Sequence, residues 1–284
     1  MRAGFREKAG AAKISAFLPL GLCLLLALAL SGCGAFNRPS ASNLSSSGPA
    51  MDLARGLYEK GRSIPSFAAR GGLNLMEDKT ARYVRFELIA VRPDKLILTL
   101  FDPLGRPALK AVSDGAVLTA MDYGEMVAAV GASTPENVSR VLPVGLGLDA
   151  LVSVLSDSLI LRPDQASASY DSDGAPTALL LATAEPEGMT SWSLNLTQGP
   201  DGPVVSGLTI KAQPHRPALS VTYGSFKTVE VDGGEPRSFP HLVDATLADG
   251  RKLTVRYDEV RLGAEIPPEV FEIAVPESYE IREL

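Results

Sequence analysis

Few side chains in this sequence have the types and spacing that catalysis requires. The 284 residues include two histidines, His215 and His241, and two cysteines, Cys23 and Cys33. His215 lies in a turn-like, proline-flanked segment and His241 begins a predicted strand, so structural or solvent roles suit both. The sequence contains no Gly-x-Ser-x-Gly element, no Cys/His pair and no His/Glu metal-binding spacing. We therefore expect no enzyme activity, no cofactor and no metal site.

Cys33 is the residue whose position indicates a covalent modification, because it directly follows an apolar segment. Four basic residues precede an apolar run over 14–30, and the run ends in the tetrapeptide Leu30-Ser31-Gly32-Cys33. This order is typical of a secretory signal, although the run also approaches the length of a membrane-spanning helix. The tetrapeptide closely resembles the lipobox of bacterial lipoprotein precursors, whose Cys is acylated after the preceding peptide bond is cut. The resemblance implies a signal peptide over 1–32 and a lipid, such as palmitate, on Cys33.

Processing at Cys33 changes both the thiol content and the charge of the chain. Cys23 leaves with the signal and Cys33 is acylated, so no disulfide is expected. Gly34 stands where an Asp would favour inner-membrane retention by the enteric sorting rule, which implies the periplasmic face of the outer membrane. Because 1–32 holds four basic residues and one acid, the rest carries −9 against −6 for the whole chain. That charge argues against nucleic acid and against electrostatic docking on anionic lipid.

The mature sequence opens with a segment that has almost nothing to bury. Residues 34–49 (GAFNRPSASNLSSSGP) predict a flexible tether, so 33–49 is the lipidated Cys and its linker. Such a linker has an r.m.s. reach of roughly 22 Å. The remaining 50–284 is predicted as one domain, for which the family resemblance described below implies lipid binding. It starts with a short helix from Met51 to about Lys60.

Period-two alternation of apolar residues predicts a large antiparallel sheet. Turn residues, including Asp173-Gly174, Asp201-Gly202 and Asp249-Gly250, separate the segments. The predicted strands are 66–77, 79–91, 95–101, 107–112, 116–121, 165–171, 177–185, 189–198, 203–213, 217–228, 241–248, 251–262 and 270–274.

Three helices are predicted between the fifth and sixth of these strands. They cover Glu125–Gly131, Pro135–Leu142 and Leu148–Asp157, with Thr134 as the N-cap of the second. A helical insert in a long meander must cover one face of the sheet. The predicted fold class is therefore mainly β (α+β): a strongly curved antiparallel sheet of roughly ten to thirteen strands, forming an incomplete barrel with a small helical lid.

The stretch Lys95–Val112 contains Asp102-Pro103-Leu104-Gly105 between two predicted strands. This turn resembles the Asn/Asp-Pro-Leu-Gly turn of the LolA/LolB-like superfamily, and in particular of its LolB-like outer-membrane lipoprotein receptors. Looser similarity extends over most of 65–275, in the lid, the closing strands and Ile266–Phe271, whereas 157–205 matches nothing in the family. The resemblance implies an incomplete barrel whose lid covers a hydrophobic cavity, and a receptor that takes lipoproteins from a soluble LolA-like carrier.

Leu104 is the residue to which the resemblance gives the sharpest role. The matching leucine of the family protrudes into water and places the lipoprotein into the membrane, which implies a membrane-insertion loop of Pro103, Leu104 and Gly105. An exposed leucine gains about 1.5–3 kcal/mol on entering hydrocarbon. The same residues also suit an ordinary type I turn, in which Leu104 could fold back onto the core.

Alternation along the strands predicts which side chains face the interior and could line a ligand cavity, and the apolar stripe of the helix at 148–157 adds Leu151 and Leu155. A chain of about 16 carbons would offer on the order of 12 kcal/mol of burial there. The alternatives are that the cargo is another amphiphile, such as a phospholipid or a quinone, or that the interior is a filled core of a structural lipoprotein. The inward candidates are Phe86, Leu88, Leu96, Leu98, Leu100, Leu151, Leu155, Trp192, Val221, Tyr223, Val255 and Tyr257.

Overall fold

The computed structural model describes residues 48–284 except for 78–79, 143, 145, 158–166, 171–177, 186–187, 201, 212–218 and 248. Leu44–Leu284 forms a compact unit. The predicted signal peptide, Cys33, Gly34 and nearly all of the tether lie outside the described residues, as do His215 and the Asp173-Gly174 turn. Within the described residues, no helix combines the length and the apolar character that crossing a bilayer requires.

The described strands form one curved sheet that is not closed into a barrel, as the sequence predicted. In chain order the strands are β1 (Ser66–Glu77), β2 (Thr80–Val91), β3 (Lys95–Phe101), β4 (Pro107–Ser113), β5 (Val117–Asp122), β6 (Val127–Ala132), β7 (Ser167–Tyr170), β8 (Ala178–Glu185), β9 (Gly188–Gly199), β10 (Gly202–Lys211), β11 (Leu219–Val229), β12 (Arg237–Thr246), β13 (Lys252–Leu262) and β14 (Glu280–Glu283). The helices are α1 (Pro49–Arg62), α2 (Pro135–Val141), α3 (Leu148–Leu155) and a 3-10 helix, Pro268–Phe271.

The sheet consists of two meanders that meet at its centre. Its spatial order is β14-β6-β5-β4-β3-β2-β1-β13-β12-β11-β10-β9-β8-β7, and all neighbours are antiparallel except β14 and β6. The helices α2 and α3 lie between the two meanders in sequence, and α3 packs against β3. We call the end of the sheet that carries the β1–β2, β3–β4, β5–β6 and β12–β13 turns the lower end, and the opposite one the upper end.

The junction of the two meanders depends on one glycine. The register of β1 against β13 shifts between Arg70 and Gly71, which marks a β-bulge. A Cβ atom on Gly71 would lie 2.0 Å from the carbonyl oxygen of Arg256. Any side chain at this position would force the two central strands apart.

Two predicted elements were wrong, and one strand was missed. The segment predicted as a helix over Glu125–Gly131 is a tight turn followed by β6, because Asp122 Oδ1 accepts hydrogen bonds from the amides of Gly124 and Glu125 and reverses the chain. The strand predicted over 270–274 is also wrong: residues 270–271 end the 3-10 helix, whose start Pro267 and Pro268 favour, and 272–274 follow without regular structure. The missed strand is β14, whose four residues are exposed and carry no apolar alternation.

Aromatic rings fill the upper part of the concave face on the central strands. Phe67 lies 5.3 Å from Phe239 and 5.5 Å from Tyr257 between ring centroids, and Phe86 lies 6.0 Å from Tyr257. Edge and tilted ring contacts of this kind are favourable beyond the area they bury. This aromatic cluster closes the interior above, so any open space on these strands must lie nearer the lower end.

Candidate functional site

A cavity of about 140 Å³ lies between the concave face of the sheet and the lid formed by α3 and the preceding segment. Every described residue that lines it is apolar. Eight of the lining residues are among the predicted cavity residues. Leu151 and Leu155 come from the apolar stripe of the predicted helix, and strand alternation gave the other six: Phe86, Leu88, Leu96, Leu98, Leu100 and Val255. The other six are Leu73, Leu75, Leu142, Val144, Leu247 and Leu253.

The wall is built from cross-strand pairs whose side chains share one face. Phe86 pairs with Leu100 and Leu88 with Leu98, so alternate residues of β2 and β3 point into the cavity together. Leu73 and Val255 pair in the same way between β1 and β13. The β1 and β13 residues were detectable from the same alternation, whereas Leu142, Val144 and Leu247 come from connecting segments with no periodic signal.

The four remaining predicted cavity residues do not line the cavity. Val221 is buried in the core, and Trp192 is partly buried with no described residue accepting its Nε1–H. The hydroxyls of Tyr223 and Tyr257 donate hydrogen bonds to the carbonyl oxygens of Val154 (3.0 Å) and Leu155 (2.9 Å). Alternation placed these tyrosines on the inner face, but their hydroxyl groups reach the end of the lid helix instead of open space.

Arg92 completes this attachment at the upper end of the sheet. Its guanidinium donates to the carbonyl oxygen (3.2 Å) and hydroxyl (3.0 Å) of Ser156 and to the carbonyl oxygen of Gly61. The carbonyl oxygens of Val154, Leu155 and Ser156, at the C-terminal end of α3, therefore all accept hydrogen bonds from side chains of the sheet and of the β2–β3 turn. These bonds satisfy carbonyl groups that have no partner within the helix. Gly61 belongs to α1, so one residue holds both helices. Burial lowers the pKa of Arg92 to about 10.

Replacing Arg92 with Met should destabilise the protein by about 1–3 kcal/mol, because the carbonyls of Gly61 and Ser156 lose their donor. Urea unfolding monitored by circular dichroism measures the loss. The matched control is Arg85→Met, an exposed arginine on β2, the strand that precedes Arg92, whose effect should stay within about 0.5 kcal/mol. Equal midpoints for the two variants would contradict the role given to Arg92.

Asp157, which follows Ser156, makes the fold sensitive to pH. Burial raises the pKa of its carboxyl to about 7, although Arg237, Lys60 and Arg92 each lower it in part. A carboxyl whose pKa is higher in the folded protein binds more protons there than in the unfolded chain. Its contribution to stability is therefore greatest at low pH and is lost as the pH rises from about 4 to about 7.

Replacing Asp157 with Asn should remove this loss. We expect the variant to gain stability on the order of 2–4 kcal/mol over the wild type at pH 8 and almost none at pH 4. Asn also tolerates the positive φ of 48° at this position. Unfolding midpoints of both proteins across this pH range measure the difference, and parallel pH profiles would contradict it.

The β3–β4 loop at the lower end presents Leu104 to solvent, with 78% of the residue exposed. Asp102 Oδ1 accepts hydrogen bonds from the amides of Leu104 and Arg106, both at 2.9 Å, and Oδ2 accepts from the Arg106 Nε at 2.8 Å. These bonds hold the pKa of Asp102 below its usual value. Gly105 supplies the positive φ of 84° that closes the turn. Leu104 therefore points outward from an ordered loop and does not fold back onto the core.

The size of the cavity limits what it can hold in this conformation. An apolar void of about 150 Å³ takes up one benzene molecule, so 140 Å³ accommodates only a few carbon atoms. Leu142, Val144, Leu151 and Leu155 form the lid side of the wall. A long acyl chain would require the lid to move away from the sheet.

The fold is that of solved LolA-superfamily and lipoprotein-sorting structures. No protein-family model and no curated protein matches this sequence. A DUF1329 family protein from Desulfovibrio piger aligns with a TM-score of 0.55 at 9% identity, over 78% of this chain and 95% of that one. A putative outer membrane lipoprotein-sorting protein domain from Vibrio parahaemolyticus gives 0.52 at 10%, over 78% and 95%. A LolA superfamily protein from Nitrosomonas europaea gives 0.52 at 14%, over 78% and 97%.

Proposed function

We propose that this protein is a membrane-anchored periplasmic acceptor and carrier of acyl chains. In this proposal it receives lipoproteins from a soluble LolA-like carrier and inserts them into the outer membrane, to which the lipid on Cys33 attaches it. The observation that carries the proposal is a wholly apolar cavity beneath a helical lid, in a domain whose β3–β4 loop exposes Leu104. The shared fold and the lipobox-like sequence support it.

Transfer of this kind needs no ATP, because each tenfold preference of the acceptor over the donor requires only about 1.4 kcal/mol. The cavity offers burial of methylene groups at about 0.8 kcal/mol each. Among the described residues of the wall there is no polar side chain that could fix a polar headgroup or a reacting bond. We therefore propose binding without catalysis.

Native mass spectrometry after gentle extraction from the membrane tests which molecule is bound. Lipoprotein acyl chains would support the proposal, whereas a phospholipid or quinone mass would support a carrier of another amphiphile. The apolar wall alone suits either cargo, since it contacts only the hydrocarbon part. Absence of any bound lipid and of saturable binding of a fluorescent fatty acid would favour a structural lipoprotein instead.

Depletion of the protein tests the direction of transfer. We expect lipoproteins destined for the outer membrane to accumulate at the inner membrane or in the periplasm, as measured by fractionation followed by proteomics. Normal distribution of every lipoprotein after depletion would contradict the receptor role.

A further inference from the structure

We propose that the whole lower end of the sheet, and not the Leu104 loop alone, is the surface that meets the bilayer. This inference rests on the proposed function and adds an orientation: the lower end faces the lipid while the upper end points away. The partner is a phospholipid surface that is entered by apolar side chains.

Exposed apolar side chains follow the lower end from one turn to the next. Leu104 in the β3–β4 loop is joined by Met76 at the end of β1 and by Tyr123 and Met126 around the β5–β6 turn, all of them exposed. Tyr83 is also exposed but does not belong to this end, because its ring lies over Gly72, five residues before the end of β1. Because β1 to β6 are consecutive neighbours in the sheet, the other four residues form one continuous rim.

Tyr123 and the backbone of Met126 are held in place at this rim. Tyr123 packs edge-on against Tyr279 at 6.2 Å and donates its amide to the carbonyl of Ala108 at 3.0 Å. Met126 occupies a left-handed turn position with φ of 54°. An ordered rim loses little conformational entropy when it inserts into a membrane interface.

The cavity reaches the same end of the sheet. Leu75 precedes Met76, and Leu100 lies one residue from the end of β3, close to the β3–β4 loop. Leu247, in the β12–β13 turn, also lines the wall. On the central strands the aromatic cluster closes the upper side, so a bound chain would leave most directly through the lower end.

The charges of the rim favour a zwitterionic surface over an anionic one. Arg106 is paired with Asp102, and the exposed Arg82 and Arg85 are offset by Glu77 and Glu125. Binding should therefore depend on apolar insertion and on Tyr123, because tyrosines prefer the headgroup layer. A stable protein partner would need about 800 Å² of contact surface on each side, more than a row of single side chains at turn tips supplies.

Site-directed labelling of the lipidated mature protein in phosphatidylcholine/phosphatidylethanolamine vesicles tests the orientation. The variants Met76→Cys, Leu104→Cys and Tyr123→Cys would each carry an environment-sensitive dye. The controls are Val117→Cys at the start of β5 and Val270→Cys in the 3-10 helix, which packs near Lys95; both positions are exposed and lie toward the upper end. We expect lipid-borne quenchers to reach the three lower labels and not the two controls, equally in low and high salt. Equal quenching at both ends, or contact that requires anionic lipid, would overturn the proposal.

A second measurement separates this inference from the proposed function. The double variant Met76→Ser/Tyr123→Ser, with Leu104 intact, should slow lipoprotein delivery about tenfold, and Val117→Ser/Val270→Ser should not. If the labels show no lower-end contact while delivery is normal, the orientation is wrong and the receptor role stands. If the labels insert but depletion misplaces no lipoprotein, the surface is right and the receptor role fails.

Discussion

Leu104→Glu should leave the protein folded and abolish delivery of lipoproteins to the outer membrane. Leu104 contributes nothing to the core, because most of its side chain faces solvent. The free energy of unfolding of the variant should therefore lie within about 0.5 kcal/mol of the wild-type value. At the membrane, the variant loses the gain of about 1.5–3 kcal/mol from burying a leucine and adds the cost of placing a carboxylate near hydrocarbon. This is the largest functional effect expected from any single exposed residue.

The measurement is the distribution of lipoproteins between inner and outer membranes in cells whose sole copy of the protein carries Leu104→Glu. Leu104→Met is the matched control, since it keeps an apolar side chain of similar volume and should deliver normally. The free energy of unfolding of both variants shows whether the fold is kept. Normal localisation of lipoproteins in cells that carry Leu104→Glu would contradict the role assigned to the β3–β4 loop.

Filling the cavity should weaken ligand binding without unfolding the protein. In Leu98→Trp the larger ring would occupy part of the 140 Å³ void, so the substitution adds apolar contacts where space already exists. We expect saturable binding of a fluorescent fatty acid to weaken at least tenfold, which corresponds to about 1.4 kcal/mol. Titration of the purified protein with that probe measures the change.

The control for this substitution lies one residue further along β3. Thr99 pairs with Glu87 on the outer face, so Thr99→Trp adds the same ring outside the cavity and should bind the probe as the wild type does. If both variants bind equally well, the probe occupies another site. If neither variant folds, Leu98→Phe adds a smaller side-chain volume to the same cavity and replaces Leu98→Trp in the titration.

The sheet could be predicted because its long strands carry an apolar residue at every second position. In β2 and β3, Phe86, Leu88, Leu96, Leu98 and Leu100 follow this rule and line the cavity. The helix α2 could be predicted from its cap, because the predicted N-cap Thr134 accepts a hydrogen bond from the amide of Asn137. Local sequence suffices where one element carries its own periodicity or cap.

What the sequence did not reveal depends on distant partners. The strand β14 exists because its backbone pairs in parallel with β6, far away in the chain, and its exposed side chains show no pattern. Alternation places Tyr223 and Tyr257 inside, but only the three-dimensional structure shows that their hydroxyls meet the end of α3. The attachment of Arg92 to two helices had no signal either, since its partners are backbone carbonyls that every residue possesses.

That shared attachment makes the two helices mechanically dependent. The helix α1 is the first described element of the chain, and the helix α3 covers the cavity. Lifting either helix from the sheet breaks hydrogen bonds from the same guanidinium that holds the other. A displacement of α1 would therefore loosen the cover of the cavity, and an opening of the cavity would loosen α1.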